Sequence, residues 1–280
     1  MSKQRKIIII LLVLVFVGCL GYIGYYYYQN YIIPQQEDDK NSELREEYTI
    51  DDSSQSPSEK ISFEVNEFGI LERKEDSSRE EQDSKPISSS SVADTSIESL
   101  DKVKQRNHNV QAWIFVKDTT INYPVVQNKN NNSYYLNVDV NGYYSINGSI
   151  YLDKSVDLKK SQNIVVYGHR MDAALMFHDL EKFKDEQFGK SHDVYFDIGD
   201  KGSKYWEVAG VFYCPEYEGR QFTNTTFNKD SIKTFIQQLN NKSLYKTDAE
   251  PSETDQFLTL ITCSYEGQNY RTVVVCRRKQ

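Results

Sequence analysis

Cys263 closes the run "FLTLITC", Arg271 stands eight residues later, and Gly267, the one glycine between them, lies midway. A thiol becomes a nucleophile when ionised, and a nearby guanidinium favours the thiolate and can later hold an oxyanion. Alternation along the run puts Thr259, Ile261 and Cys263 on one face and Leu258, Leu260 and Thr262 on the other. If the following hairpin folds symmetrically about Gly267, Cys263 faces Arg271 across the ladder with Cβ atoms about 5 Å apart. A slip of one residue would separate them, and a strand cysteine is otherwise an ordinary core residue, so spacing alone leaves both readings open. A cysteine enzyme also needs a proton donor. His108, His178 and His192 sit among polar neighbours, whereas His169 ends "NIVVYGH", where a strand hands its next residue to a pocket rim. No Cys/His spacing suits zinc and no loop has EF-hand spacing, so no metal and no cofactor are expected.

The elements that must position these groups follow from periodicity. Strand-like pieces run in series as "AWIFV", "NYPVVQ", "SIYLD", "NIVVYGH", "HDVYFDI", "KYWEVAGVFYC", "FLTLITC" and "RTVVVCRR", separated by turns such as "DIGDKG" and "EGQN". Such a series predicts an antiparallel barrel or sandwich. Ile232, Phe235, Ile236 and Leu239 recur at helical spacing after Asn228, which predicts a helix over Ser231 to Asn240 packed on the sheet. "TSIESLDKVKQRN" predicts a short amphipathic helix capped by Thr95 or Ser96, with Ile97, Leu100 and Val103 inward.

Charge is distributed unevenly along the 280 residues. Met1 to Tyr28 carries Lys3, Arg5 and Lys6 and no acid; Gln29 to Thr95 has 18 acidic and 7 basic residues; Ser96 to Gln280 has 23 of each. The expected division is therefore a cytoplasmic tip and membrane anchor over residues 1–28, an acidic, Ser-rich, disordered stalk over 29–95, and a folded domain over 96–280. The stretch "IIIILLVLVFVGCLGYIGYYYY" is 22 uncharged residues, long enough to span a bilayer as a helix. Basic residues before it and Glu37, Asp38 and Asp39 after it place the N-terminus in the cytoplasm and the rest outside. "ISFEVNEFGILERK" within the stalk has enough alternation for a strand or a docking segment. The domain has no basic face, which excludes a nucleic-acid partner. Three external cysteines, Cys214, Cys263 and Cys276, are an odd number, so at least one is unpaired.

"TLITC" with Arg271 downstream and "VVYGH" upstream resembles the active-site pattern of the sortases. "WIFVKDTTINYPVVQ", "NNSYYLN", "VVYGHRMDAALMFHDLEKF" and the helix before the cysteine strand are similar in order to class B members, over Ser96 to Gln280. The resemblance implies a mostly β fold: a sortase-like closed antiparallel β-barrel with an N-terminal helix and a helix inserted before the cysteine strand, behind a membrane anchor. It implies a cysteine transpeptidase of Gram-positive bacteria, with Cys263 as nucleophile, His169 as general acid and base, and Arg271 on the oxyanion and substrate carbonyl. Asn132, Leu136, Tyr167 and Thr262 match positions that line the substrate groove. The implied partners are surface or pilin proteins bearing a C-terminal sorting signal, cleaved after Thr, and an amine acceptor such as a peptidoglycan precursor or a pilin lysine. Two other readings share the architecture: a hydrolase with water as acceptor, and an anchored β-domain that binds surface polymers without catalysis.

Overall fold

A computed structural model describes residues 3–48, 50, 63–65, 71–73, 100–263, 266–267 and 269–280. The apolar run forms helix α1 (Lys3–Tyr27), whose apolar side chains are exposed among the described residues and which is long and apolar enough to cross a membrane. A π turn (Tyr28–Ile32) leads into α2 (Ile33–Glu47). Pro34 stands at the start of α2 and has no N–H to bond back to residue 30, which suits a widened turn just before it.

Helix α2 departs from the expectation that a solvated stalk begins at Gln29. Leu44 and Tyr48 are buried, and the Tyr48 ring stacks on Trp113 with centroids 4.3 Å apart. The Tyr48 hydroxyl donates to Asp197 at 2.7 Å, Arg45 pairs with Asp38 at 2.9 Å, and the Arg45 guanidinium lies over Tyr123. An acidic composition reads as solvated because it has few apolar groups, yet one tyrosine and one leucine here find a preformed apolar surface. Phe63–Val65 (β1) and Leu71–Arg73 (β2) form a small antiparallel pair of their own. The rest of the expected stalk, and the Thr95 or Ser96 cap with Ile97, lie outside the described residues. Helix α3 covers residues 100–106 and buries Leu100 and Val103, as its spacing predicts.

The folded domain is a closed barrel of eight strands: β3 (Val110–Val116), β4 (Asn122–Gln127), β5 (Ile150–Leu152), β6 (Asn163–Tyr167), β7 (Val194–Asp197), β8 (Tyr205–Pro215), β9 (Phe257–Cys263) and β10 (Tyr270–Arg278). Around the barrel the order is β10-β8-β7-β3-β4-β5-β6-β9. Two of the seams, β4 with β5 and β6 with β9, are parallel; the others are antiparallel. Parallel neighbours need long crossovers, and residues 128–149 and 168–256 supply them. The β6–β9 seam matters most for the site, because parallel strands end at the same rim of the barrel.

Helix α4 (Glu186–Ser191) starts at Asp185, whose side chain accepts from the Phe188 N–H. Helix α6 (Lys229–Lys242) starts at a capping box made by Asn228 and Ser231 and buries Ile232, Phe235 and Leu239. Gly210 lets Leu239 approach: a Cβ there would lie 2.5 Å from Leu239 Cδ1. Cys276 is buried in the barrel core, and burial pushes its thiol well up.

Candidate active site

Strands β6 and β9 run parallel with Tyr167 in register with Ile261. His169 lies two residues beyond Tyr167 and Cys263 two beyond Ile261, so both stand at the same level on the same rim. On the other side of β9 the antiparallel register pairs Cys263 with Arg271. The symmetric hairpin expected about Gly267 is the register observed.

Close packing fixes the turn after β6. A Cβ on Gly168 would collide with Ile150 Cδ1 and lie 2.8 Å from the Phe177 ring, so only glycine fits before His169. The Gly168 N–H donates to the Ile261 carbonyl at 3.2 Å, and the Thr262 hydroxyl donates to the Gly168 carbonyl at 2.8 Å. His169 Nε2 lies 2.7 Å from the Leu136 carbonyl. A carbonyl only accepts, so Nε2 carries the hydrogen and Nδ1 is the basic nitrogen of the neutral ring.

A groove of about 490 Å³ crosses this rim. Asn132, Leu136, Tyr167, His169, Thr262, Cys263 and Arg271, all expected from the sequence, line it together. Cys263 is exposed to the groove and is not in a disulfide. Arg271 Nη2 pairs with Glu216 at 2.7 Å and Nη1 donates to the Tyr270 carbonyl at 3.1 Å, so the guanidinium is held from two sides. Glu216 opens the short helix α5 (Glu216–Gly219), which the β8–β10 ladder delivers: Arg271 is also in register with Cys214, and the Glu216 N–H donates to the Asn269 carbonyl. Cys214 itself is buried beneath this segment, and burial raises its thiol pKa although Lys242 and Arg271 oppose the rise.

Two polar groups of the groove were not legible in advance. Glu216 belongs to no motif, and Asp153 ends a plain strand segment. Asp153 is almost fully buried and accepts from Asn132 Nδ2 at 2.6 Å, the Tyr167 hydroxyl at 3.1 Å and the Ser155 N–H at 2.8 Å. Burial alone would raise its pKa, but the bonds from Ser155, Asn132 and Tyr167 together hold the carboxyl below the ordinary range. Asn132 Oδ1 accepts from the Lys154 N–H at 2.6 Å, so both ends of the Asn132 amide are engaged. The Tyr167 and Tyr151 phenols are both pushed up, by burial first and by Asp153 second.

The other histidines stay out of the groove. His108 is exposed, His178 bonds the Met171 carbonyl, and His192 stacks on Phe188. Among the described residues no cluster of His, Cys, Asp and Glu could hold a metal ion.

The chain is similar to proteins of one known family. A family profile described as the Sortase domain matches residues 114–279. Sortase B of Staphylococcus aureus is 30% identical over 183 residues, which is 64% of this chain and 73% of that protein. Among solved structures, a mutant form of Clostridium perfringens sortase B superposes with a TM-score of 0.63 at 33% identity, covering 69% of this chain and 92% of that one. A Staphylococcus aureus sortase B–substrate complex gives a TM-score of 0.59 at 27% identity, covering 65% and 85%.

Proposed function

The chain belongs to the sortase family as a class B cysteine transpeptidase, and from that premise we propose that Cys263 is its nucleophile, His169 its general acid and base, and Arg271 its oxyanion clamp. The observation that carries the assignment is the register: Cys263 opposite Arg271 in one seam, and level with His169 across the parallel seam on its other side.

The chemistry follows from those positions. The Cys263 thiol gives its proton to His169, the resulting thiolate attacks the carbonyl of a threonine in a C-terminal sorting signal, and the negative charge that develops on oxygen meets the Arg271 guanidinium. Collapse expels the following residue as an amine, to which His169 gives a proton, and leaves a thioester on Cys263. An incoming amine then attacks the thioester, His169 takes a proton from it, and Cys263 departs as thiolate, leaving a new amide. Glu216 keeps the guanidinium oriented before substrate arrives, because a carboxylate 2.7 Å away fixes a side chain that is otherwise flexible.

Asn132, Leu136, Tyr167 and Thr262 form the substrate groove in this reading. The engaged amide of Asn132 and hydroxyls of Tyr167 and Thr262 make them shaping residues first; Leu136 and the Tyr167 ring offer apolar surface to the peptide. That a Staphylococcus aureus neighbour is described as a sortase B–substrate complex supports a substrate site on the like barrel here. Helix α1 anchors the protein with its N-terminus in the cytoplasm and the barrel outside, supported by Arg5 and Lys6 before the apolar run and Glu37 to Asp39 after it. The anchor is residues 1–28 and the catalytic domain 96–280, with α2 packed onto the domain from within the segment 29–95.

The test is turnover. The full chain in detergent is incubated with a library of five-residue sorting peptides and with two amines, a wall cross-bridge peptide and a lysine peptide. An amide product with either amine, lost in Cys263→Ala, supports transpeptidation and names the acceptor. Release of free acid alone would instead indicate a hydrolase, and neither product would indicate a binding domain.

A further inference from the structure

Helix α2 meets the domain at two places, and its first turn touches neither Trp113 nor Asp197. It grips the two segments that flank His169. The loop after His169 folds back on itself: the Phe177 N–H donates to the His169 carbonyl at 2.8 Å, and Arg170 bridges Met176. Within it Ala174 has φ of 58° and Met176 of 57°. Left-handed backbone at a residue with a side chain is costly, and it persists where the surroundings fix it. At the tip of this loop the Ala173 carbonyl accepts from Gln35 Nε2 at 3.2 Å.

The other segment leads away from Leu136, whose carbonyl takes the imidazole hydrogen. Ser145 donates from its backbone N–H to the Asn137 carbonyl, and Ser149 from its own to the Tyr135 carbonyl, so the segment 137–149 closes against the Leu136 turn. Its holding points on α2 are again near the start of the helix. The Ser145 hydroxyl donates to Glu37 Oε2 at 2.6 Å, and Asn147 Nδ2 donates to the Pro34 carbonyl at 2.7 Å. Ser145 and Asn147 are both buried.

Pro34, Gln35 and Glu37 thus hold the segments on both sides of His169, a few residues after the apolar helix ends. We propose that the start of α2, Pro34 to Glu37, is a positioning element for His169, so that the orientation of the proton-transfer group depends on the helix leading out of α1. The inference rests on the assignment of His169 as acid and base.

The experiment uses the full chain in lipid nanodiscs, with Gln35→Ala and Glu37→Ala combined. The expected result is kcat lower by about tenfold with KM within about twofold, because a misplaced catalytic group costs rate rather than binding. NMR exchange of the His169 ring N–H with water, which requires no turnover, is expected to speed up in the same variant. Glu37→Gln keeps an oxygen to accept from Ser145 and is expected to restore most of kcat. Tyr48→Phe, at the far end of α2, is expected to lower Tm and leave kcat and ring exchange unchanged. Should the double variant fail to fold, Gln35→Ala alone removes one bond at the loop tip and is expected to speed ring exchange by a smaller factor. Unchanged kcat and ring exchange in a folded variant would overturn the proposal, as would an equal loss of kcat in Tyr48→Phe. A His169→Ala chain that still makes amide product at the wild-type rate would instead overturn the assignment of His169, while ring exchange in the wild-type chain and the double variant still decides the positioning claim.

Discussion

The β9–β10 hairpin fixes residues of the groove and helix α2 fastens onto the barrel outside it, the first by a backbone ladder between near neighbours, the second by side chains that reach more than a hundred residues along the chain. A ladder sets its register through every residue, so the placement of Cys263 against Arg271 is over-determined. Helix α2 depends instead on a few points: Gln35 and Glu37 at one end, Arg45 and Tyr48 at the other. The difference implies that substitutions in the hairpin change chemistry with little change in fold, whereas substitutions in α2 change stability or geometry by modest amounts.

The sharpest test of the hairpin side is Cys263→Ala, which removes the attacking atom from an exposed position. Activity is expected to fall at least about 10⁴-fold with Tm unchanged, checked by amide formation and thermal unfolding. Arg271→Lys keeps the charge but loses the planar fork held by Glu216, and kcat/KM is expected to fall about 10²-fold. Gly168→Ala would break the comparison from within the barrel, since its new Cβ collides with Ile150 and Phe177. A destabilisation of about 1–3 kcal/mol is expected, read by urea titration, together with displacement of His169.

On the α2 side Tyr48→Phe removes a buried hydroxyl that donates to Asp197 and leaves that carboxylate with fewer partners, at an expected cost of about 1–2 kcal/mol. Burial first, then Asp197 and Tyr195, push the Tyr48 phenol far up. A raised pKa means the contribution is fully present below the unfolded value of about 10 and is lost as pH rises above it. Thermal unfolding between neutral and strongly alkaline pH is therefore expected to show a shallower loss in Tyr48→Phe than in wild type. Asp153 has the opposite sign and the smallest effect. Its carboxyl is held down by Ser155, Asn132 and Tyr167 against burial, so its contribution is present above about pH 4 and lost as pH falls through the lower folded value. Asp153→Asn is expected to flatten the acid limb of the stability profile by about 1 kcal/mol.

What was readable in the sequence divides along the same line. Alternation in "FLTLITC" and equal arms about Gly267 carry the hairpin register, because both are local and a strand has period two. The α6 face was legible for the same reason, its Asn228 cap and Ile232, Phe235 and Leu239 being close neighbours. The parallel seam β6–β9 was not, since strand direction leaves no mark on composition, and the crossover of residues 168–256 is too long to imply one partner. Helix α2 was hidden by its own polarity: "IPQQEDDKNSELREEY" reads as solvated, and its anchoring groups answer to Asp197, Asn122 and Ser145, which no local pattern connects to it. Asp153 and Glu216 escaped because a single carboxylate carries no periodic signal.

The central claim is that the thiol facing Arg271 becomes the acyl carrier. Its most direct test is intact-mass analysis of the full chain with a turnover-competent sorting peptide and no amine, followed by peptide mapping. The account predicts one acyl group on the fragment containing Cys263, released by hydroxylamine and absent in Cys263→Ala. An acyl group found on Cys214, or full acylation persisting in Cys263→Ala, would contradict it.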